Sequence, residues 1–529
     1  MAIKVLVSDQ LSEKGLDILQ KQKDFEVDVK TKLTPDELCA VIGEYDALLI
    51  RSATKVTKEV IVAAKKLKLI GRAGVGVDNV DIPAATKKGI IVMNTPGGNT
   101  ISTAEHTVSM ILALSRNIPQ ASSSVKQGQW LRKKFTGVEV LGKTLGIIGL
   151  GRIGLEVAKR VLSFKMKVLV YDPFVNLEML QNLDIETVEL EDLFKRADYI
   201  TVHTPLNDDT RGLIGEKTFP LMKDGVRIIN CARGGIVNEN DLYNAIISGK
   251  VAGAALDVFE KEPPENKKLL ELEQVITTCH LGASTEEAQV NVAVDVVEQA
   301  MSALQGGPVL NAVNMPSVDA ELIKQLKPYS ILGEKLGLFL AQLMNGNLKE
   351  IRIEYKGTVA SFEIGPITLS VIKGVLENVL AESVNFVNAP IFARERGIKI
   401  TESKQGSVTD FADSIVITTI TDKETASVEG TLFGLKNDPR IVRINDYLVD
   451  ATPEGFLLVL TNEDKPGVIG NVSTQLGEAR INIANMSVGR NVQGGKAITL
   501  INIDTPIDDV LLSKIANVAH IVRVKRVCL

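Results

Sequence analysis

The stretch that most restricts how this chain folds is Gly149-Leu150-Gly151-Arg152-Ile153-Gly154. It follows the apolar run TLGIIGL and precedes the amphipathic run LEVAKRVLSF. That context predicts a strand, a tight glycine turn and a helix. Gly149 permits the turn, Gly151 lets the backbone approach a pyrophosphate, and Gly154 lets helix and strand pack closely. Free N–H groups at the helix start then face the phosphates. The next expected strand, KVLVYD, ends at Asp172, about 20 residues on, where the fingerprint requires a carboxylate. An aspartate there accepts hydrogen bonds from ribose hydroxyls and repels a 2′-phosphate, so NAD is the expected cofactor rather than NADP.

The flanking pattern predicts two α/β units. Apolar runs at 4–9, 25–29, 47–52, 67–74 and 90–94 alternate with amphipathic stretches. Short strands that are apolar throughout belong in a parallel sheet covered on both faces. A helix over 102–116 follows, with Ser102 as its expected cap. The second unit has runs at 144–150, 167–172, 199–205, 226–234, 253–259 and 274–282. Six strands with helical connections is the count of a doubly wound dinucleotide fold. An amphipathic stretch at 286–305 ends at Gly306-Gly307-Pro308, a boundary signal. Beyond it come a helix over 335–344 and β-rich stretches such as 351–357 and 414–422, without a glycine fingerprint or a convergent polar cluster. Residues 455–529 read strand, helix, strand, strand, helix, strand, a split βαβ unit.

The expected fold is therefore α/β, with two doubly wound parallel-sheet lobes, an α+β unit and a βαββαβ unit. The expected domains are 1–98 for the first part of a substrate lobe, 99–283 for the NAD lobe, and 284–317 for a return to the substrate lobe. An intervening domain at 318–452 and a regulatory domain at 453–529 complete the chain.

Charge removes several function classes. Lys plus Arg is 60 and Asp plus Glu is 65, a net −5 spread along the chain. No basic block points to nucleic acid, and no polybasic helix points to a membrane surface. No apolar run reaches the roughly 18 residues of a membrane span. The opening MAIKVLVSDQ is charged and reads as neither a signal nor a transit peptide. Cys39, Cys231, Cys279 and Cys528 are far apart and form no CxxC pair. Reduced thiols in a cytoplasmic protein, with no metal site, are the expectation.

The chain has four histidines. His280 follows the last apolar run of the NAD unit, and ligands of doubly wound sheets bind at the carboxyl ends of strands. Arg233 and Glu262 follow two neighbouring runs. Oxidising a secondary alcohol by hydride transfer needs a base for the hydroxyl proton, which His can supply near neutral pH. A carboxylate beside it, Glu262, favours the imidazolium. Arg233 suits the carboxylate and carbonyl of a 2-hydroxy or 2-oxo acid. His203 ends a strand and lines the expected cofactor cleft, with Thr204 and Pro205 on its adenosine side. His106, inside a helix, reads as packing or solvent-facing, and His520 has no apparent partner.

The motifs GLGRIG, NCARGGIVNE, ALDVFEKEPP and TCHLGAST, with RSATKVT, GRAGVGVDNVD and the C-terminal DKPGVIG, occur in this order. Through them the chain resembles the D-isomer-specific 2-hydroxyacid dehydrogenases, in their long form with an intervening and an ACT domain. The resemblance implies catalytic roles for Arg233, Glu262 and His280. It implies cofactor contacts at Val75, Arg152, Ile153, Asp172, Thr204, Cys231, Asp257 and Gly282, beside the three loop glycines. It places Arg51, Arg72 and Asn99 on the substrate side, where Arg132 and Lys133 add charge, from a neighbouring subunit if not from the same chain. So many cations favour a phosphorylated substrate. The implied reaction is NAD-dependent oxidation of 3-phosphoglycerate to 3-phosphohydroxypyruvate, the entry to serine synthesis. The alternatives are a glyoxylate or hydroxypyruvate reductase and a non-catalytic NAD-sensing corepressor. Asn462, Asp464 and Asn482 match polar positions that bind L-serine in ACT domains, although Asn462 departs from the residues other members carry there. A homotetramer or homodimer is implied. The intervening domain is expected to serve assembly or a second anionic effector.

Overall fold

The computed structural model describes residues 2–175, 180, 182–316, 320–380, 383–406 and 410–529. The expected boundary between 317 and 318 lies outside the described residues. The five N-terminal apolar runs form one parallel sheet in the order Phe25–Val29, Ile3–Val7, Ala47–Ile50, Leu69–Arg72, Ile91–Met93. One face is sealed from far along the sequence. Val292, Ala293, Val296, Val297 and Ala300 of the helix Glu286–Leu304 pack on Val5, Val7, Leu49 and Leu69. A Cβ on Gly71 would lie 2.9 Å from Val296, so glycine there lets the helix seat against the sheet.

The second sheet is also parallel throughout. Its order is Val275–Thr277, Val251–Leu256, Val226–Asn230, Tyr199–Val202, Thr144–Ile148, Lys167–Tyr171, Ile185–Thr187. It has seven strands where the sequence pattern predicts six. The seventh, Ile185–Thr187, is an edge strand of three residues, two of them exposed. It therefore lacks the apolar run that marks a buried strand. The glycine loop follows Thr144–Ile148, where the strand order reverses, which is the ligand-binding crevice of this architecture.

The helix Thr100–Arg116 corrects the expected cap. Ser102 lies inside its first turn, and its hydroxyl donates to Asn99 O and Gly282 O instead. Ser102 thus ties this helix to the loop bearing His280. The helix Ala320–Leu343 starts well before the expected residue 335. Pro328 sits inside it, and a proline reads as a helix break in sequence.

The following six-stranded sheet runs Lys399–Gln405, Leu348–Gly357, Asp413–Thr421, Thr425–Phe433, Asp438–Ile444, Tyr447–Ala451, with only the first pair parallel. It does contain a polar cluster, against expectation. Buried Glu429 accepts from Ser414 Oγ at 2.8 Å and from Arg443 Nε at 3.0 Å, with Lys356 Nζ at 3.8 Å. The cluster is drawn from four strands, so no local motif announces it.

The C-terminal unit is βαββαβ, with sheet order Ile483–Arg490, Lys496–Ile503, Phe456–Glu463, Ile521–Cys528. Strand alternation divides its apolar residues between two cores. Leu458, Leu460, Ile501 and Ile503 pack with its own helices. Leu457, Val459, Ile498, Leu500 and Val527 join the core of the preceding sheet and the helix Ala320–Leu343. The two units therefore share one hydrophobic core. They reach the N-terminal lobe where Asn385 Nδ2 donates to Gly89 O at 2.7 Å and Lys87 pairs with Glu395 at 2.7 Å. Among the described residues, no helix is long and apolar enough to cross a membrane.

Candidate active site

A cleft of about 580 Å³ opens between the two parallel-sheet lobes. Arg51, Arg72 and Asn99 line it from one side, and Arg233, Glu262 and His280 from the other. The strand leading to His280 stops at Thr277, and His280 itself adopts the left-handed φ of 58°. A non-glycine residue there is held by its surroundings. The holder is Asp257. Its carbonyl accepts from His280 N at 2.9 Å, and its carboxylate accepts from Leu281 N at 2.7 Å and Gly282 N at 2.9 Å. Burial pushes the Asp257 carboxyl up, but hydrogen bonds from His106, Thr278, Leu281 and Gly282 outweigh it and hold the group below its ordinary 3.8.

The imidazole of His280 points Nδ1 at Glu262 Oε2, 2.9 Å away. Glu262 Oε1 in turn accepts from Phe259 N at 3.3 Å. With Nδ1 donating to the carboxylate, Nε2 is the nitrogen left to exchange a proton. Arg233 reaches across the cleft mouth. Its Nε pairs with Asp78 at 3.1 Å, and Nη1 donates to Ala232 O at 2.7 Å. Asn230 braces this loop by donating to Arg233 O at 2.9 Å.

On the other side, Arg72 Nε donates to Asn79 Oδ1 at 3.1 Å. Burial, reinforced by the charges of Arg233 and Arg51, pulls the Arg72 guanidinium down to about 10. It remains cationic at neutral pH, and three guanidiniums converge where an anion would relieve their repulsion. Arg51 is anchored through its backbone N to Asp9 Oδ2 at 2.6 Å. Arg132 and Lys133 stand apart from the cleft of their own chain. Both are exposed and neither lines this cleft.

The glycine loop has the geometry a dinucleotide needs. Gly149 has φ 93°, and a Cβ there would lie 2.7 Å from His203 O. A Cβ on Gly154 would lie 2.2 Å from Gly149 O, while Gly151 faces open space. The helix Arg152–Ser163 starts at once, so its free N–H groups face that opening. Asp172 sits beside the loop, accepting from Leu150 N at 2.7 Å and Phe174 N at 2.8 Å, with lone pairs to spare for ribose hydroxyls. Thr204 Oγ1 and Asn99 Oδ1 are buried without a hydrogen-bond partner. Thr204 stands beside the loop at Gly149, and an orphaned polar atom there is what a polar ligand would satisfy, so these residues fit NAD.

The remaining expected contacts fall around this crevice. Val75 lines the cleft. Ile153 packs against the core beneath the loop. Arg152 lines a second hollow between the lobes, with Pro96 and Gly97. Gly282 O accepts from Ser102 and Thr103. Burial pushes the Cys231 thiol up to about 12, making it an uncharged wall.

Two histidines differ from expectation. His106 is neither packing nor solvent-facing in role, since Nε2 lies 3.2 Å from both Thr278 Oγ1 and Asp257 Oδ1. A signal existed: Ser102, Thr103 and His106 share one helix face at three- and four-residue spacing, and a polar stripe on an otherwise buried helix calls for partners. His520 has a partner too, Glu463 Oε2 at 2.8 Å. The three residues expected to hold an effector are engaged separately. Asn462 is buried and accepts from Thr499 Oγ1 at 3.2 Å. Asp464 accepts from Gly494 N at 2.9 Å and Arg490 at 3.0 Å, and Asn482 donates to Asp504 at 2.9 Å.

Comparison with known proteins assigns three segments of the chain to known families. Residues 108–282 match the model for the NAD-binding domain of the D-isomer-specific 2-hydroxyacid dehydrogenases. Residues 325–445 match the D-3-phosphoglycerate dehydrogenase intervening domain, and 456–520 the ACT domain. The chain is 45% identical to the D-3-phosphoglycerate dehydrogenase of Synechocystis, over 98% of this chain and 93% of that one. It is 45% identical to the D-3-phosphoglycerate dehydrogenase of Methanocaldococcus jannaschii, over 98% of each. The crystal structure of the Aquifex aeolicus D-lactate dehydrogenase with NAD and lactic acid is 31% identical, with a TM-score of 0.52. It covers 59% of this chain and all of its own.

Proposed function

From the premise that the chain belongs to the D-isomer-specific 2-hydroxyacid dehydrogenases, in the long D-3-phosphoglycerate dehydrogenase branch with intervening and ACT domains, we propose how its cleft works and what controls it. The reaction is NAD-dependent oxidation of D-3-phosphoglycerate to 3-phosphohydroxypyruvate, which opens L-serine synthesis. The carrying observation is the His280–Glu262 pair, 2.9 Å apart at the carboxyl edge of the seven-stranded sheet, with Arg233 beside it and Arg51 and Arg72 across the cleft. NAD, held by the glycine loop Gly149–Gly154, Asp172 and Thr204, would supply the acceptor for the C2 hydride. Every other task belongs to the chain. His280 Nε2 takes the C2 hydroxyl proton, so hydride and proton together leave a ketone. Glu262 holds the imidazole in the tautomer that makes this possible and stabilises its cation. Arg233 grips the substrate carboxylate and the developing carbonyl, while Arg51 and Arg72 take the phosphate. Closing the cleft excludes water.

The same reading assigns the lobes as 1–98 with 284–317 for substrate and 99–283 for NAD, followed by 318–452 and 453–529 for regulation. L-serine is the effector of the ACT domain, through Asp464 and Asn482 first, since Asn462 is committed inside the fold. Copies of the chain assemble into a homodimer or homotetramer in the cytoplasm, and Arg132 and Lys133 serve a neighbour's cleft. The test follows NADH absorbance with 3-phosphoglycerate and NAD, trapping the keto product. Turnover that disappears in His280→Ala and falls on adding serine supports the reading. Reduction of glyoxylate or hydroxypyruvate with no activity on 3-phosphoglycerate overturns it.

A further inference from the structure

Two consecutive residues of the substrate lobe each hold the Nε of a different cleft arginine. Asn79 Oδ1 accepts from Arg72 Nε, and Asp78 Oδ2 accepts from Arg233 Nε, each at 3.1 Å. The turn that presents them is itself anchored, because Asn79 Nδ2 donates to Arg51 O at 2.7 Å and Thr54 O at 2.6 Å. Arg72 belongs to the same lobe as this turn. Arg233 comes from the opposite lobe, after the strand Val226–Asn230.

The rest of the Arg233 guanidinium shows what that contact accomplishes. Nη1 is occupied by Ala232 O at 2.7 Å. Nη2 lies over Gly76, where a Cβ would stand 1.9 Å from it. With Nε and one Nη1 hydrogen engaged, the planar group is held against rotation, and Nη2, beside Gly76 of the cleft lining, keeps both its N–H groups for a ligand. From this geometry we propose that Asp78 is a positioning residue for Arg233, aligning its free Nη2 with the substrate from across the lobe boundary. Because the two residues stand on different lobes, Arg233 is aligned only when the lobes stand as they do here. Lobe closure and substrate grip thus become one event. Asp78 itself touches no reacting atom.

This inference rests on the function proposed above, and the experiment separates the two. Parent enzyme, Asp78→Ala and Asp78→Asn are each assayed for oxidation of 3-phosphoglycerate, D-glycerate and D-lactate with NAD. NADH binding is followed by fluorescence as a check on the nucleotide lobe. Asparagine keeps an acceptor for Nε; alanine does not. A hydrogen bond to a charged group aligns Arg233, so Asp78→Ala raises KM for the hydroxy acid about tenfold. KM for NAD and NADH affinity stay at the parent values, and Asp78→Asn recovers to within about threefold. A substrate KM in Asp78→Ala within twofold of the parent, or below it, overturns the inference, the latter by making Asp78 a competitor for Arg233. Loss of NADH binding in both variants also overturns it, since the role is then structural. A parent enzyme inactive on all three acids is a failure of the proposed function instead.

Discussion

His280 and Glu262 meet through Nδ1 and Oε2 at 2.9 Å, although His280 stands in a left-handed backbone conformation after its strand has ended. The contact decides which ring nitrogen faces the substrate. Glu262→Gln keeps the size of the side chain and removes its charge, so kcat should fall about 100-fold, with KM for NAD unchanged. His280→Ala should lose about 10²- to 10⁴-fold. Steady-state rates from NADH absorbance check both, and equal rates for Glu262→Gln and the parent would sink the pairing role.

Arg72 is more buried than an arginine that merely waits for solvent, and burial with the charges of Arg233 and Arg51 brings it down to about 10. A phosphate relieves that strain, a hydroxyl does not. Arg72→Ala should raise KM for 3-phosphoglycerate about 10- to 100-fold while changing KM for D-glycerate much less. Equal losses on both substrates would move Arg72 away from the phosphate.

The glycine loop can be tested without chemistry. A Cβ on Gly154 would stand 2.2 Å from the carbonyl of Gly149. Overpacking of this kind costs about 1–3 kcal/mol, so Gly154→Ala should weaken NADH binding roughly tenfold. Fluorescence titration measures it. Gly151→Ala, facing open space, should fold normally and lose affinity only by obstructing the phosphates.

His203 gives the fold a pH dependence. It is half-buried, with Nδ1 enclosed and lacking a hydrogen-bond partner, and the lost solvation lowers it from 6.5 to about 4. Above pH 6.5 it is neutral in folded and unfolded chains alike, and contributes nothing. Between 6.5 and 4 the unfolded chain takes up a proton that the folded chain refuses, so stability falls as pH falls. The full effect is on the order of 3 kcal/mol. His203→Gln should flatten the decline of the unfolding midpoint between pH 6.5 and 4, and an unchanged slope would assign the decline elsewhere.

Much of the molecule was legible before any coordinates. Local periodicity places nearly every strand of the two parallel sheets, since a strand buried on both faces must be apolar throughout. The exception, Ile185–Thr187, lies at an edge and is half exposed. The helix Ala320–Leu343 starts well before the expected residue 335 and carries Pro328 inside it. Arg233, Glu262 and His280 are legible because each follows a strand whose carboxyl end faces the crevice.

What stayed hidden was partnership across distance. His106 and Asp257 are 3.2 Å apart in space, as are Asp78 and Arg233 at 3.1 Å, yet no spacing rule links residues so far apart in sequence. The sharing of one core by the intervening and C-terminal units is of the same kind. By itself the sequence determined which segments become strands, which loop cradles a dinucleotide and which residue types stand ready for hydride transfer, because those follow from periodicity and local backbone freedom. Only the tertiary structure decided which acceptor orients each arginine and what clamps the histidine loop, because side-chain hydrogen bonds form between neighbours in space, and folding alone chooses those neighbours.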